Sequence, residues 1–230
     1  MYHVAPLLPI ESVPAGTNLL VQGPPMTRKH ELLFELLAEG HRHDESGLLV
    51  STDEAADRLR TDVLPDRIDH QQLAIVDCVT RQRGQSADAD ANTCFVPSPA
   101  DLTGIGMQVT QLIELIRTDG IGQYRLGIDS VSTLLAYTST KKLFRFFHVL
   151  TARLASSDGL GIFVAHTESG ADDDLTQLLS LFDGIAETRR GDDGVELRVR
   201  GITDAPTPWR PLEIPVDSPA DTVASTGESP

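Results

Sequence analysis

Five short runs, residues 17–22, 47–52, 73–77, 124–129 and 161–167, constrain this chain more than any other feature. Each is apolar nearly throughout instead of alternating, as strands are when a parallel sheet is covered on both faces. Amphipathic stretches separate them. Leu32, Leu33, Leu36 and Leu37 recur at helical spacing over 31–39, up to the stop at Gly40. A helix carrying Ala55, Ala56 and Leu59 follows the second run. Residues 99–118, capped by Asp101, put Leu102, Ile105, Val109, Leu112, Ile113 and Ile116 on one face. Residues 141–156 do the same with Leu143, Phe144, Phe147, Leu150, Thr151 and Leu154, and 175–182 reads as a short helix. Beyond it, 184–189 and 195–202 alternate around Gly191, Asp192, Asp193 and Gly194, a hairpin signal, and 212–216 supplies one more strand. The expected fold is α/β: a mostly parallel central sheet, helices on both faces and a C-terminal antiparallel hairpin.

The organisation that follows is a lead-in segment, 1–16, a single domain, 17–216, and a tail, 217–230. Pro6, Pro9 and Pro14 interrupt the lead-in, where Ile10 and Val13 can pack as a short turn or lid. The tail is acidic and too poor in apolar residues to pack, so it is expected to be disordered. Residues 81–92 are polar and without period, a surface loop.

Open parallel sheets bind ligands at the carboxyl ends of their strands. Four polar groups fall there: residues 23–30, Asp53 with Glu54, Asp129 with Ser130, and His166 with Thr167 and Glu168. The first, GPPMTRKH, stands between an apolar strand and a helix, where a phosphate loop G-x-x-x-x-G-K-[ST] belongs. Gly23 and Lys29 are in register. Arg28 replaces the second glycine and His30 the magnesium-binding hydroxyl, while Thr27 lies nearby in the wrong register. The loop as a whole, Gly23, Pro24, Pro25, Met26, Thr27, Arg28, Lys29 and His30, is the candidate nucleotide-binding element. Nucleotide hydrolysis further requires a metal-organising acid and a carboxylate that polarises water. Asp129 fits the first role and Glu54 the second, with Asp53 as rival; His166 or Thr167 could sense a terminal phosphate. Each has a plain alternative: a strand-end acid that caps a turn, a solvated lysine, a hydrogen-bonded histidine.

With 34 acids against 19 bases the net charge is −15, and Lys29, Lys141 and Lys142 are the only lysines. Such a surface stays hydrated at high salt, so a halophilic source is expected, and its sign argues against non-specific nucleic-acid binding. Arg81 and Arg83 are the only hint of a DNA-contacting loop. Cys78 and Cys94 lack the spacing of a zinc site or a disulfide framework and read as buried free thiols. No apolar run approaches the roughly 18 residues of a membrane span, and the first residues show no basic segment followed by an apolar core, so a cytoplasmic location is expected.

Taken together, the strand into GPPMTRKH, GLLVSTDE ending in two acids, LGIDS, GIFVAHTE, and LFDGIAETRR with VELRVRG resemble a RecA-superfamily ATPase domain. The likeness is to its KaiC-like archaeal branch, haloarchaeal by composition, over residues 10–216, with a degenerate Walker A motif. The resemblance implies a RecA-like core, ATP and Mg2+ as ligands, and ring or filament assembly, hence a homo-oligomer or protein partner. It makes Lys29 the phosphate-binding lysine, Asp129 the Walker B acid and Glu54 the catalytic glutamate. The function expected is a nucleotide-binding regulatory protein with weak or absent hydrolysis. A pseudo-ATPase serving as an interaction or signalling module is one alternative, and an ATPase working on DNA another. A dinucleotide enzyme is disfavoured because no G-x-G-x-x-G follows the first strand.

Overall fold

The computed structural model describes residues 1–64, 68–69, 72–86, 88–90, 92–118, 122–167 and 173–214. Its core strands are β3 (Asn18–Gly23), β4 (Ser46–Ser51), β5 (Leu73–Asp77), β7 (Tyr124–Asp129) and β8 (Leu160–His166), the five apolar runs within a residue of their expected bounds. With β9 (Gly184–Gly191), β10 (Gly194–Arg200), the short β6 (Thr93–Phe95) and β11 (Arg210–Pro211) they form one sheet, ordered β11-β10-β9-β3-β8-β7-β4-β5-β6. Pairing is parallel from β9 through β6, and antiparallel for β10 with β9 and β11. The expected architecture is therefore present, hairpin included.

Helix α1 (Lys29–His41) covers one face, packing Leu32, Leu33, Leu36 and Leu37 against Leu19, Val21 and Leu49. Gly127 in β7 lets it approach, since a Cβ there would lie 2.8 Å from Leu33 Cδ1. The other face carries α3 (Leu102–Thr118), α4 (Val131–Tyr137), α5 (Thr140–Ser156) and α6 (Asp173–Leu178) over Leu20, Val50, Ile128 and Phe163. The stretch after β4 is a single turn, α2 (Ala56–Arg58), continued as a π-helix over Leu59–Val63.

Several details differ from expectation. Residues 1–16 are more than a lead-in: β1 (Tyr2–His3) pairs with β2 (Ser12–Val13), and Tyr2, Val4, Leu7, Leu8 and Val13 are buried in the core under α1. Helix α4 begins directly after β7, where Ser130 accepts the Thr133 N–H as its cap. The last strand is Arg210–Pro211 instead of 212–216; Leu212 and Ile214 are buried in the α1-side core, and residues 215–230, with the expected tail, lie outside the described residues. Cys78 is buried as expected, but Cys94 on the edge strand is only partly so. Among the described residues no helix is long and apolar enough to cross a membrane.

Arg125 joins these parts. Fully buried in β7, it donates to Glu45 at 2.5 Å, to the Leu36 carbonyl of α1 at 2.6 Å and to the His3 carbonyl of β1 at 2.8 Å. Removing one member of a buried pair strands the other charge, which costs roughly 3–5 kcal/mol. Arg125→Ala is accordingly expected to lose about that much in denaturant unfolding, and Arg125→Ala with Glu45→Ala to lose less than the sum of the single variants. Strict additivity would mean that the two charges do not depend on each other.

Candidate phosphate-binding site

Strand order decides what the polar tips can do together. Because β8 lies between β3 and β7, Gly23 is paired with His166 and the Asp129 tip lies one strand further on. The loop between β3 and α1 is pinned from beneath by β9. A Cβ on Gly23 would lie 2.1 Å from the Thr188 hydroxyl, so only glycine fits, and that hydroxyl sits 2.7 Å from Thr27 Oγ1. Thr27 in turn donates to the Pro24 carbonyl at 2.7 Å. The expected obstacle at Arg28 is resolved by the backbone. Arg28 adopts φ 58°, ψ 29°, the left-handed conformation that the missing glycine would take, and Met26 also has φ 61°. For a non-glycine residue this costs about 1–2 kcal/mol. The Arg28 side chain turns outward toward Glu31, 4.0 Å away.

Residues 25–26 form a hydrogen-bonded turn, and at the start of α1 the N–H groups of Arg28, Lys29, His30 and Glu31 have no acceptor among the described residues; the first intrahelical bond is Leu32 N–H to the Arg28 carbonyl. Consecutive free amides at a helix N-terminus form an anion cradle. Lys29 is buried and folds back over the cradle, its Nζ donating to the Pro24 carbonyl at 2.5 Å and to Thr27 Oγ1 at 3.3 Å. Burial pushes its pKa down to about 8.

His30 turns the other way. Its Nδ1 lies 2.6 Å from Asp129 Oδ1, an ion pair without a well-aligned hydrogen bond, and its Nε2 lies 3.4 Å from His166 Nε2. Burial pulls the His30 pKa down, but the Asp129 carboxylate, with Asp53 behind it, outweighs that and raises it. His166 moves in the opposite direction: burial lowers its pKa, aided by Lys29 and His30. Its backbone is held by Ser132, whose Oγ accepts the His166 N–H at 2.8 Å.

The paired acids separate. Asp53 accepts from Thr133 Oγ1 at 2.5 Å and acts electrostatically on both histidines, so it faces the cluster. Glu54 pairs with Arg58 at 3.2 Å through Oε1, and its Oε2 is buried without a partner among the described residues. Of the two sensor candidates, His166 belongs to the cluster. Thr167 contributes its backbone N–H to the Gly23 carbonyl at 2.9 Å, and Glu168 lies outside the described residues. Thr188, Ser132 and Thr133 were not anticipated, because nothing in their local sequence marks them. Asp77, the acid ending β5, is buried and accepts from Val79 and Thr80 in its own turn and from Ala56 at the start of α2, a structural role.

These residues do not fit Mg2+. That ion requires near-octahedral oxygen ligands. Here an imidazole replaces the hydroxyl and lies directly on the one acid that would organise the metal.

Against known proteins, the family described as "Family of unknown function (DUF7504)" matches residues 16–188. A UPF0273 protein from Aeropyrum pernix is 28% identical over 196 residues, covering 83% of this chain and 69% of its own length. Among solved structures, a KaiC-like protein from Pyrococcus horikoshii aligns with a TM-score of 0.60 at 15% identity, over 84% of this chain and 82% of its own. An uncharacterised protein from the same organism, solved with an unknown peptide, aligns at 0.61 and 14%, over 82% and 84%. The fold is thus the KaiC-like, RecA-type α/β fold.

The depressed pKa of Lys29 has a definite linkage sign. Below about 8 both states carry the proton and the cost of burying the charge is fully present; between there and 10.5 only the unfolded state holds it, so stability rises with pH. Compared with Lys29→Met, the wild-type chain is expected to gain relative stability steadily across that window, measured by denaturant unfolding at a series of pH values. A pH-independent difference would mean that Lys29 is not buried as a cation.

Proposed function

The chain belongs to DUF7504, a family of unknown function, and we propose that it binds the phosphates of a nucleotide in the loop of residues 24–28 without Mg2+. The observation that carries this reading is the run of free amides from Arg28 to Glu31, with the Lys29 ammonium folded back beside them. Backbone amides and a lysine supply affinity for a phosphate chain. What is missing is the cation that neutralises developing charge during hydrolysis. In its place the His30 imidazole already lies on Asp129. Binding with weak or absent turnover is therefore the expectation, in keeping with a RecA-like, KaiC-like regulatory or interaction module. If turnover occurs, Asp53 is the better placed of the two acids to polarise water, since it acts on both histidines while Glu54 is paired with Arg58.

A module that binds no nucleotide at all is the second reading. It is favoured by the contact of Lys29 with the Pro24 carbonyl, which already uses the charge that a phosphate would take. Assembly with copies of itself or with a protein partner remains part of the proposal, as does a halophilic source, which rests on composition.

Calorimetric titration of ATP into the chain, at high salt and with a chelator present, separates the readings. Binding with unchanged affinity after Mg2+ is added, weakened about tenfold or more by Lys29→Ala, is expected from the loss of one charge-assisted contact. Absence of heat in both conditions supports the nucleotide-free module, and binding that requires Mg2+ contradicts the role given to His30.

A further inference from the structure

We propose that His30 and His166 form a two-nitrogen seat for a borderline transition-metal ion of the Zn2+ and Co2+ class, at the point where this site refuses Mg2+. The carrying observation is the 3.4 Å separation of the two Nε2 atoms. Two metal–imidazole bonds of about 2.0–2.1 Å meeting near the tetrahedral angle span roughly 3.3–3.4 Å between nitrogens. The rings already stand at the required bite.

Their orientation is set from behind. Asp129 Oδ1 lies 2.6 Å from Nδ1 of His30, which favours the proton on that nitrogen and so frees Nε2 on the side of His166. A carboxylate behind a ligating imidazole is the usual outer support of such metals. His30 is held by the first turn of α1, and His166 by its pairing with Gly23 and its backbone bond to Ser132, so neither ring must be recruited from solvent. The charged groups facing the pair are Asp129 and Asp53, which favour a divalent cation, and Lys29, which opposes it. Imidazole suits Zn2+, Co2+, Ni2+ and Cu2+, whereas Mg2+ prefers oxygen.

Among the described residues no group of three or more histidine, cysteine, aspartate or glutamate side chains is arranged to hold a metal. The seat therefore supplies two ligands, and water or a bound anion completes the sphere. Because water suffices, the inference does not depend on nucleotide binding.

The test uses the full chain stripped with chelator and titrated with Co2+ alone, followed by visible absorption, with Zn2+ as competitor. One ion bound per chain with the intense absorption of a tetrahedral-like site, displaced by Zn2+ and indifferent to Mg2+, is expected. His30→Asn and His166→Gln should each abolish the band. Lys29→Ala, which removes the cradle's ammonium, should retain it, so loss of nucleotide binding and loss of metal are read separately. If either histidine variant fails to fold, imidazole 15N NMR of the wild-type chain replaces it: Zn2+ must move the Nε2 signals of His30 and His166. No uptake, meaning that the pair is simply an N–H···N hydrogen bond, would overturn the proposal. So would uptake that survives in both variants, as binding at the stacked surface pair His3 and His43 would give.

Discussion

A single contact, His30 Nδ1 to Asp129 Oδ1 at 2.6 Å, ties the first turn of α1 to the tip of β7 across the end of β8. It determines what the sheet's ligand edge can be. A parallel sheet ordered β3-β8-β7 brings a loop amide cradle, a histidine and an acid together, and this much follows from topology. Whether that edge takes a hard cation depends on the residue after Lys29. With an imidazole there, the place beside Asp129 is already taken by the chain itself.

The loop and the pair belong to one design. Arg28 takes a left-handed backbone without being glycine, a strained choice that persists because Gly23 is pressed on Thr188 and Thr27 is bonded beneath. Strain of this kind would have little reason to survive in a loop whose amides were not used. The buried Arg125, which links Glu45, α1 and the N-terminal strand, holds the other end of α1, so the helix that presents Lys29 and His30 is fixed at both ends.

Much of the fold was legible because its five central strands are buried on both faces and read as unbroken apolar runs. The strands that escaped notice are short: β1, β2 and β6 have two or three residues each, too few for a period to register, and β11, with two, was placed slightly late. Gly23, Lys29, Asp129 and His166 could be picked out because they end strands or open a helix. Their mutual contacts could not, since these depend on strand order and not on local sequence. Thr188 is the clearest case, reaching the loop from a strand some 160 positions away in sequence. The sequence preferred Glu54 to its neighbour Asp53, and only the geometry brings Asp53 to Thr133 and the histidines and Glu54 to Arg58. Asp77 has the same sequence signature and is engaged by its own turn and by the start of α2, so a strand-end acid alone does not mark a site.

Imidazole 15N NMR of His30 at neutral pH, recorded before and after Mg2+ is added to a large excess, probes the central contact most directly. The account predicts a proton held on Nδ1 against Asp129 and signals that do not move with Mg2+. Signals that shift toward a released, solvent-exposed imidazole as Mg2+ rises would show the metal taking Asp129 for itself, and would contradict it.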